Sequence, residues 1–268
     1  MSVLKEISQL IGDVKDKKPL VHHITNYVTV NDCANMVLAI GGSPVMADDL
    51  AEIEEMLSFA SALVINIGTL NERTIQSMIT AGKKANQLGV PVILDPVGVG
   101  ATTLRTETTA ILLKEVRFSV IRGNMSEIKM IAGLNVQIKG VDSIATEENG
   151  IEIAKALAVK LGSVVAITGA VDIVASIDNV CTISNGDKML ADVTGTGCMS
   201  TSLIGTFAGV TKDYFLAAIA GITIMGLSGE LAKKRLTKDQ GIGTFKVNLF
   251  DEISKMSAET LLSGGKVE

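Results

Sequence analysis

Short apolar runs rich in β-branched residues alternate with longer segments of helical periodicity between Pro19 and Ala170. The apolar runs are PLVHHI, SALVINIG, VPVILDP, FSVIRGN and VVAITGA. The helical segments are VTVNDCANMVLAI, NERTIQSMITAGKKANQLG, TLRTETTAILLKEV, MSEIKMIAG and GIEIAKALAVKLG. This alternation favours a mostly parallel sheet with helices on both faces. Most of these runs are continuous apolar stretches up to their polar ends, as expected for strands that are covered on both sides. The predicted fold class is therefore α/β, a three-layer α/β/α sandwich.

The pattern changes after Val171. The segment DIVASIDNVCTISNG predicts two short strands with turn residues Asp178 and Asn179 between them, a hairpin added at the sheet edge. Beyond Gly195 the pattern is mostly helical. Because the chain has no low-complexity linker, no internal repeat and only four prolines, we expect residues 1–268 to form a single domain.

Composition narrows the class of protein further. Hydrophobic residues make up 47% of the 268 residues, which suits a chain long enough to bury a large core without disulfides. The cysteines Cys33, Cys181 and Cys198 lack metal-binding spacing and a paired framework, so we expect a reducing compartment and a cytoplasmic protein. We interpret Cys33 and Cys181 as core residues. The charged, amphipathic N-terminal segment lacks the unbroken apolar region of a signal peptide.

Two uncharged segments require a membrane check. Tyr214–Gly229 spans 16 residues, fewer than the roughly 20 apolar residues that cross a bilayer. Val193–Thr211 spans 19 residues but is rich in Gly, Ser and Thr. We interpret both as buried helices, with Gly205 and Gly209 allowing close packing. The net charge of −5 is scattered, and without a basic cluster we expect no nucleic-acid partner.

Polar residues or glycines lie at or just after the ends of the five apolar runs. They are Asn26, Asn66–Gly68, Asp95-Pro96, Arg122–Asn124 and Thr168-Gly169. In open α/β sheets, ligands bind at the carboxyl ends of the strands. These residues therefore predict a ligand site along one edge of the sheet.

The glycine-rich block DVTGTGCMS, residues 192–200, follows this region. It lacks the βαβ context of a dinucleotide fingerprint, and neither Gly-Lys pair of the chain completes a phosphate-binding P-loop. If a helix begins at Gly195–Cys198, its free N–H groups and dipole favour an anion, and the glycines permit close approach. A thiol at such a position can have a lowered pKa, so Cys198 is a candidate reactive group. A glycine turn with a small buried cysteine explains the local motif equally well.

DVTGTGC resembles the anion-hole motif of the ribokinase-like superfamily. Four other blocks resemble hydroxyethylthiazole kinases: HHITNYVTVNDCANMVLAIGGSPVMADD, NIGTL, LDPVGVGAT and IRGNMSEI. The similarity extends from about Val21 through the C-terminal helices. The resemblance implies a ribokinase-like fold and transfer of the γ-phosphoryl group of ATP to the primary alcohol of 4-methyl-5-(2-hydroxyethyl)thiazole, with Mg²⁺, in thiamine salvage. It also implies a homotrimer with thiazole pockets at subunit interfaces.

The resemblance also implies roles for individual residues. LDPVG implies Asp95 near the metal and phosphates. RGNMSE implies Arg122 on phosphate oxygens, Asn124 nearby, and Glu127 holding Mg²⁺ through water, while ITG implies Thr168 at the phosphates. These roles agree with the residue types, since Mg²⁺ prefers carboxylate, water and phosphate oxygens and a guanidinium matches phosphate geometry.

On the acceptor side, TGTGC implies Gly195 near the substrate, with Gly197 and Cys198 at the anion hole. The remaining implied substrate contacts, from TNYV, SPVMAD and NIGTL, are Asn26, Met46 and Gly68. Many ribokinase-like sugar kinases carry an aspartate base where Cys198 stands, so whether this thiol takes the hydroxyl proton stays open.

Several of these residues also suit structural roles. Asp95 can simply end a strand, Arg122 can pair with an acid, and Glu127 can stabilise a helix dipole. Met46 can be a core residue. We interpret His22 and His23 as structural and leave Asn31 and Asn35 unassigned.

Two alternative functions remain open. One is a hydroxymethylpyrimidine or hydroxymethylpyrimidine-phosphate kinase of the same superfamily. The other is a non-catalytic thiazole-binding protein that keeps the fold. The combined presence of Asp95, Arg122, Glu127 and Thr168 argues against the second, because a binding protein has no need of a metal and phosphate set.

Overall fold

The computed structural model describes residues 3–135 and 149–268. Its strands are β1 (Leu20–Ile24), β2 (Ser43–Val45), β3 (Ala62–Asn66), β4 (Val92–Asp95), β5 (Val120–Asn124), β6 (Val164–Thr168), β7 (Asp172–Ala175) and β8 (Val180–Ile183). They form one sheet in the order β2-β1-β3-β4-β5-β6-β7-β8. The strands from β2 to β6 are mutually parallel, and β7 and β8 are antiparallel additions at one edge.

The five predicted parallel strands and the edge hairpin are thus confirmed. Strand β2 was not predicted, because its three residues, SPV, are too few to show a pattern. The register places the polar strand ends side by side. Asn66 lies opposite Asp95 across β3 and β4, and Asn124 lies opposite Thr168 across β5 and β6.

Helices cover both faces of the sheet. They are α1 (Val3–Lys17), α2 (Val30–Ile40), α3 (Ile53–Leu57), α4 (Glu72–Leu88), α5 (Thr103–Glu115), α6 (Met125–Asn135), α7 (Gly150–Leu161), α8 (Thr196–Ala208), α9 (Tyr214–Lys234), α10 (Ile242–Ser254) and α11 (Ala258–Gly264). Helices α3 to α7 pack on one face, and α1, α2 and α8 to α11 pack on the other. Along β3, Leu63 and Ile65 belong to the core on the face covered by α3 to α7, and Val64 belongs to the core on the opposite face. This alternation follows from the pleat of the strand. The three-layer α/β/α prediction is confirmed.

Helix α8 lies within the uncharged segment Val193–Thr211, and helix α9 contains the uncharged segment Tyr214–Gly229. Both are core helices. Helix α9 is long and apolar enough to cross a membrane, yet 78% of its apolar window is buried inside the fold. Gly205 lets α8 approach the sheet, since a Cβ there would lie 2.6 Å from Val64 Cγ2. Gly221 of α9 similarly faces Ile204 of α8, where a Cβ would lie 2.7 Å from the backbone nitrogen. The close packing expected at Gly205 is therefore helix against sheet.

Both histidines and two of the cysteines are buried, as predicted. His22 Nε2 lies 2.6 Å from the carbonyl oxygen of Ala47, and His23 Nε2 lies 3.0 Å from Ser202 Oγ. Burial lowers the pKa of His23 to about 4. Cys33 and Cys181 lie in the apolar core that contains α8 and α9.

Candidate active site

A hydrogen-bonded cluster surrounds Asp95 at the carboxyl end of β4. Asn66 Nδ2 and Thr201 Oγ1 both donate to Asp95 Oδ2, over 2.8 and 2.9 Å. Asp95 Oδ1 has no hydrogen-bond partner among the described residues. Arg122 Nη1 is 3.8 Å from that oxygen. The carboxylate is 1% exposed, so one oxygen is fixed by donors while the other remains available.

Burial raises the pKa of Asp95 above its ordinary value, and the charge of Glu127 acts in the same direction. Arg122 opposes this shift, as do the hydrogen bonds from Thr201 and Asn66. A buried carboxylate of this kind is stabilised by any cation brought beside it. The electrostatics of the cluster therefore favour a cation near Asp95.

Cys198 belongs to the same cluster. Its Sγ accepts hydrogen bonds from Asn66 Nδ2 at 3.3 Å and Asn26 Nδ2 at 3.5 Å. Burial raises the pKa of the Cys198 thiol, and the negative charge of Asp95 raises it further. The expectation of a lowered pKa is wrong, because these two effects exceed the hydrogen bonds that favour the thiolate.

Helix α8 begins at Thr196, and Gly195 is its N-cap, so the predicted helix start is confirmed. Gly195 has a φ of +91°, a left-handed conformation that favours glycine, and a Cβ there would collide with Thr29. Gly197 permits a second close approach. A Cβ at this position would lie 2.7 Å from Arg122 Nη1. The guanidinium therefore lies directly against the first turn of α8.

Arg122 connects this helix start to a large cavity. Its Nη2 donates to Thr168 Oγ1 over 2.5 Å. Arg122, Thr168 and Gly197 line a cavity of about 540 Å³. The rest of its wall comes from the turn after β6, the start of β7, the segment between β8 and α8, and helices α8 and α9. The lining residues are Gly169, Ala170, Asp172, Asn185, Gly186, Asp187, Lys188, Leu190, Ala191, Thr196, Ser200, Ile222, Met225 and Gly226. A cationic fork, a hydroxyl and a helix N-terminus in the wall of one cavity suit a polyphosphate.

Glu127 caps the start of α6. Its Oε2 accepts from the backbone nitrogen of Asn124 at 2.8 Å, while Asn124 Oδ1 accepts from the backbone nitrogen of Glu127 at 2.9 Å. Its Oε1 accepts from Gly98 N at 2.9 Å. Asn124 is exposed and serves here as the other half of the cap. No group of three or more His, Cys, Asp or Glu side chains suited to a metal occurs in residues 3–135 and 149–268.

The predicted acceptor-side residues fall into two places. Asn26 joins the cluster by donating to Asn66 Oδ1 at 2.9 Å, and Gly68 packs against Asn26, where a Cβ would lie 2.9 Å from its Cβ. Met46 instead lines a second cavity, of about 220 Å³, next to Tyr27 and the start of α4. The structure thus groups Asn26 and Gly68 with Cys198 and gives Met46 a different neighbourhood.

Three residues of the site escaped the sequence reasoning. Thr201, one turn after Gly197, donates a hydrogen bond to Asp95. It was not predicted, because the glycine-rich block of residues 192–200 ends just before it. Asp172 Oδ1 accepts from Gly169 N at 2.9 Å and closes the turn after Thr168. The side chain of Arg105 donates to the carbonyls of Ile67, Val97 and Gly68. No sequence signal points to Arg105, because its partners are backbone atoms of distant segments.

Comparisons with known proteins agree with this geometry. The profile of the hydroxyethylthiazole kinase family matches residues 11–259. A hydroxyethylthiazole kinase of Ruminiclostridium cellulolyticum is 57% identical over 255 residues, covering 94% of this chain and 93% of the relative. The chain belongs to the hydroxyethylthiazole kinase family.

Solved structures place this family member in its wider fold class. The structure of a hydroxyethylthiazole kinase protein from Pyrococcus horikoshii OT3 has a TM-score of 0.90 and 36% identity, with 98% of each chain covered. A ribokinase-like superfamily protein from Enterococcus faecalis V583 has a TM-score of 0.64 and 14% identity, with 96% of each chain covered. The second likeness concerns the fold alone, and together the two confirm the ribokinase-like prediction.

Proposed function

We propose that this protein transfers the γ-phosphoryl group of ATP to the primary alcohol of 4-methyl-5-(2-hydroxyethyl)thiazole, a reaction of thiamine salvage. The observation that carries the proposal is the position of Arg122. Its guanidinium lies between Asp95, Thr168 and the first turn of α8, in the wall of the large cavity. Phosphoryl transfer depends mostly on positioning and charge neutralisation, which this arrangement supplies.

The residues present fit a Mg²⁺ ion. Asp95 Oδ1 is buried and lacks a hydrogen-bond partner in the described parts of the chain, and Mg²⁺ sites commonly use one or two carboxylates plus waters and phosphates. Both Glu127 oxygens accept backbone hydrogen bonds, so this side chain would act through a bound water. When bound, Mg²⁺ supplies charge neutralisation for the phosphates.

The chain's own groups divide the remaining work. Arg122, Thr168 and the free N–H groups near Gly197 bind and orient the transferred phosphoryl group, and Asn124 holds Glu127 beside them. Such preorganised donors stabilise charge as it develops. The acceptor alcohol attacks the γ-phosphorus, the bond to the bridging oxygen of ADP breaks, and the hydroxyl proton passes to solvent water.

Cys198, Asn26, Gly68 and Gly195 form the acceptor pocket in this proposal. Met46 lines the separate cavity next to Tyr27 and is a further proposed substrate contact. The raised pKa of Cys198 keeps the thiol protonated near neutral pH. We therefore assign Cys198 the task of shaping the pocket and orienting the alcohol.

We also infer a homotrimer in which a neighbouring subunit completes the acceptor pocket. Tyr27 and Val28, next to Asn26, are 80% and 57% exposed, and exposed apolar side chains of this kind mark interaction surfaces. Light scattering of the purified protein tests this point, and a monomer would contradict a shared pocket. Free cysteines support a cytoplasmic location, and one sheet supports a single domain over residues 1–268.

The decisive assay measures phosphorylated thiazole formed from the thiazole alcohol and ATP over a range of Mg²⁺ concentrations. Hydroxymethylpyrimidine and its phosphate are tested in parallel. Preference for the thiazole supports the proposal, and preference for a pyrimidine indicates the other kinase. Thiazole binding without ATP consumption would indicate a non-catalytic binding protein.

A further inference from the structure

The loop that follows β8 forms one wall of the large cavity. Residues Asn185, Gly186, Asp187 and Lys188 are consecutive and all line it. On the proposed function this cavity holds the nucleotide, because Arg122 and Thr168 line it. We call these four residues, Asn185–Lys188, the nucleotide loop. Because they form one wall of the cavity, their conformation affects nucleotide binding.

The side chain of Asn185 binds the nucleotide loop to the C-terminal segment, residues 264–268. Its Nδ2 donates to the carbonyl oxygen of Gly264 at 2.9 Å, and its Oδ1 accepts from Lys266 N at 2.7 Å. Asn185 is 4% exposed, so these polar groups depend on protein partners rather than on water.

The C-terminal segment is itself bound to β8. Thr182 and Glu268 exchange backbone hydrogen bonds of 2.8 and 2.9 Å, and Ser184 N donates to the carbonyl oxygen of Lys266 at 3.0 Å. The segment thus extends the antiparallel edge of the sheet beside the nucleotide loop.

Glu230 of α9 joins these parts. Its Oε1 accepts from Asn185 Nδ2 at 3.1 Å and from Gly186 N at 3.0 Å, and Lys266 Nζ lies 2.9 Å from the same oxygen. Burial alone would raise the pKa of Glu230, but the hydrogen bonds from Lys266, Gly186 and Asn185 outweigh it and lower the pKa. The carboxylate is therefore ionised and holds three donors from two separate segments.

Helix α9 is shaped to receive the loop. One turn before Glu230, a Cβ at Gly226 would lie 2.5 Å from the carbonyl oxygen of Asn185. The loop backbone therefore rests on α9 at Gly226, while Glu230 holds it from the next turn. Gly186 has a φ of +155°, and its N–H points to Glu230 in that conformation.

We propose that Glu230 is a positioning residue for nucleotide binding, which fixes the nucleotide loop by holding Asn185, Gly186 and Lys266 together. This inference rests on the proposed function, in that the cavity is taken as the ATP site. Glu230 does not itself line the cavity, so it acts through the loop. Releasing the loop reduces the fraction of molecules whose cavity is ready to bind, and the apparent affinity falls by that fraction.

The test compares Glu230→Ala and Glu230→Gln with the parent protein. Alanine removes every acceptor, whereas glutamine keeps an oxygen for Asn185 and Gly186 and loses the ion pair with Lys266. We expect Glu230→Ala to raise KM for ATP about tenfold, with kcat and KM for the thiazole within about twofold of the parent value. Glu230→Gln should restore most of the ATP affinity.

Glu252→Ala is the matched control. The Glu252 side chain is 16% exposed, against 14% for Glu230. Its Oε1 lies 2.7 Å from Arg235 Nη1, and neither residue lines the cavity. Urea denaturation measures the stability of both alanine variants. A raised KM for ATP in Glu230→Ala but not in Glu252→Ala supports the inference. An unchanged KM in Glu230→Ala, or an equal rise in both, overturns it.

Calorimetric titration with Mg²⁺-ATP separates this inference from the proposed function. If the parent binds ATP but phosphorylates no thiazole, the proposed reaction fails while the binding comparison still tests Glu230. Weaker ATP binding in Glu230→Ala then supports the role of Glu230, and equal binding contradicts it.

Discussion

The two halves of the candidate site differ in how their polar groups are held. In the acceptor half, Asn26, Asn66, Asp95 and Thr201 are all buried and bond to one another or to Cys198. In the nucleotide half, strand ends, a turn, a loop and the helices α8 and α9 form the walls of a cavity of about 540 Å³.

This difference follows from the position of each half in the sheet. The acceptor half lies at the ends of β1, β3 and β4, in the parallel centre, where side chains have each other as partners. The nucleotide half lies toward β7 and β8, where antiparallel strands and the C-terminal segment supply the support. Changes in the first half should therefore act on turnover, and changes in the second should act on ATP affinity and on local stability.

The largest effect is expected from Asp95→Asn. The substitution keeps the shape but removes the negative charge that faces Arg122 and the proposed metal. Turnover should fall about 100-fold or more, while the circular dichroism spectrum stays that of the parent. Asp32→Asn is the control, because Asp32 of α2 is an acid that pairs with Lys246 of α10. Near-parental turnover in Asp95→Asn would remove Asp95 from the chemistry of the acceptor half.

Asp172→Asn tests the nucleotide half through pH. Burial raises the pKa of Asp172 from 3.8 to about 6, so the native state binds this proton more tightly than the unfolded chain. The resulting stability is fully present below about pH 4 and is lost as pH rises through about 6.

The parent should therefore lose about 2 to 3 kcal/mol of this contribution to its free energy of unfolding between pH 4 and pH 7. Asp172→Asn lacks the titration and should lose less over the same range. Urea denaturation of both proteins at the two pH values measures the difference. Parallel pH dependences would show that Asp172 is not the titrating group.

Thr168→Val should have a smaller effect, confined to ATP. The valine removes the hydroxyl that accepts from Arg122, leaving the guanidinium less well oriented. We expect KM for ATP to rise about tenfold, with a smaller change in kcat. Thr223→Val is a matched control, because Thr223 Oγ1 is buried without a hydrogen-bond partner among the described residues. Equal effects of the two substitutions would dismiss the contact between Arg122 and Thr168.

The smallest effect on turnover is expected from Cys198→Ala. With a raised pKa, the thiol is protonated near neutral pH, so its removal should cost a few-fold in kcat through poorer packing of the alcohol. The pH dependence of kcat should keep its shape. Cys33→Ala, another buried thiol, is the control. If kcat of the parent rises with pH at alkaline values and this rise disappears in Cys198→Ala alone, the thiol is the proton acceptor after all.

The sequence was sufficient to predict features that depend on residues close together in the chain. The helix start at Gly195–Cys198 was predicted because the glycines adjoin an uncharged helical segment, and the side-by-side strand ends followed from parallel pairing. The raised pKa of Cys198 could not be predicted, since it depends on burial of the thiol in the folded chain and on the charge of Asp95, which lies far away in sequence.

The sequence by itself determined the alternation of five parallel strands with helices, the edge hairpin, the strand-end location of the polar residues and, by resemblance, the family. Hydrophobic periodicity and turn residues act over a few positions, so they can be recognised in a linear chain. The tertiary structure alone decided which atoms meet. Thr201 reaches Asp95 across 106 positions and Lys266 reaches Asn185 across 81, because sheet packing, not sequence proximity, brings these groups within hydrogen-bond distance.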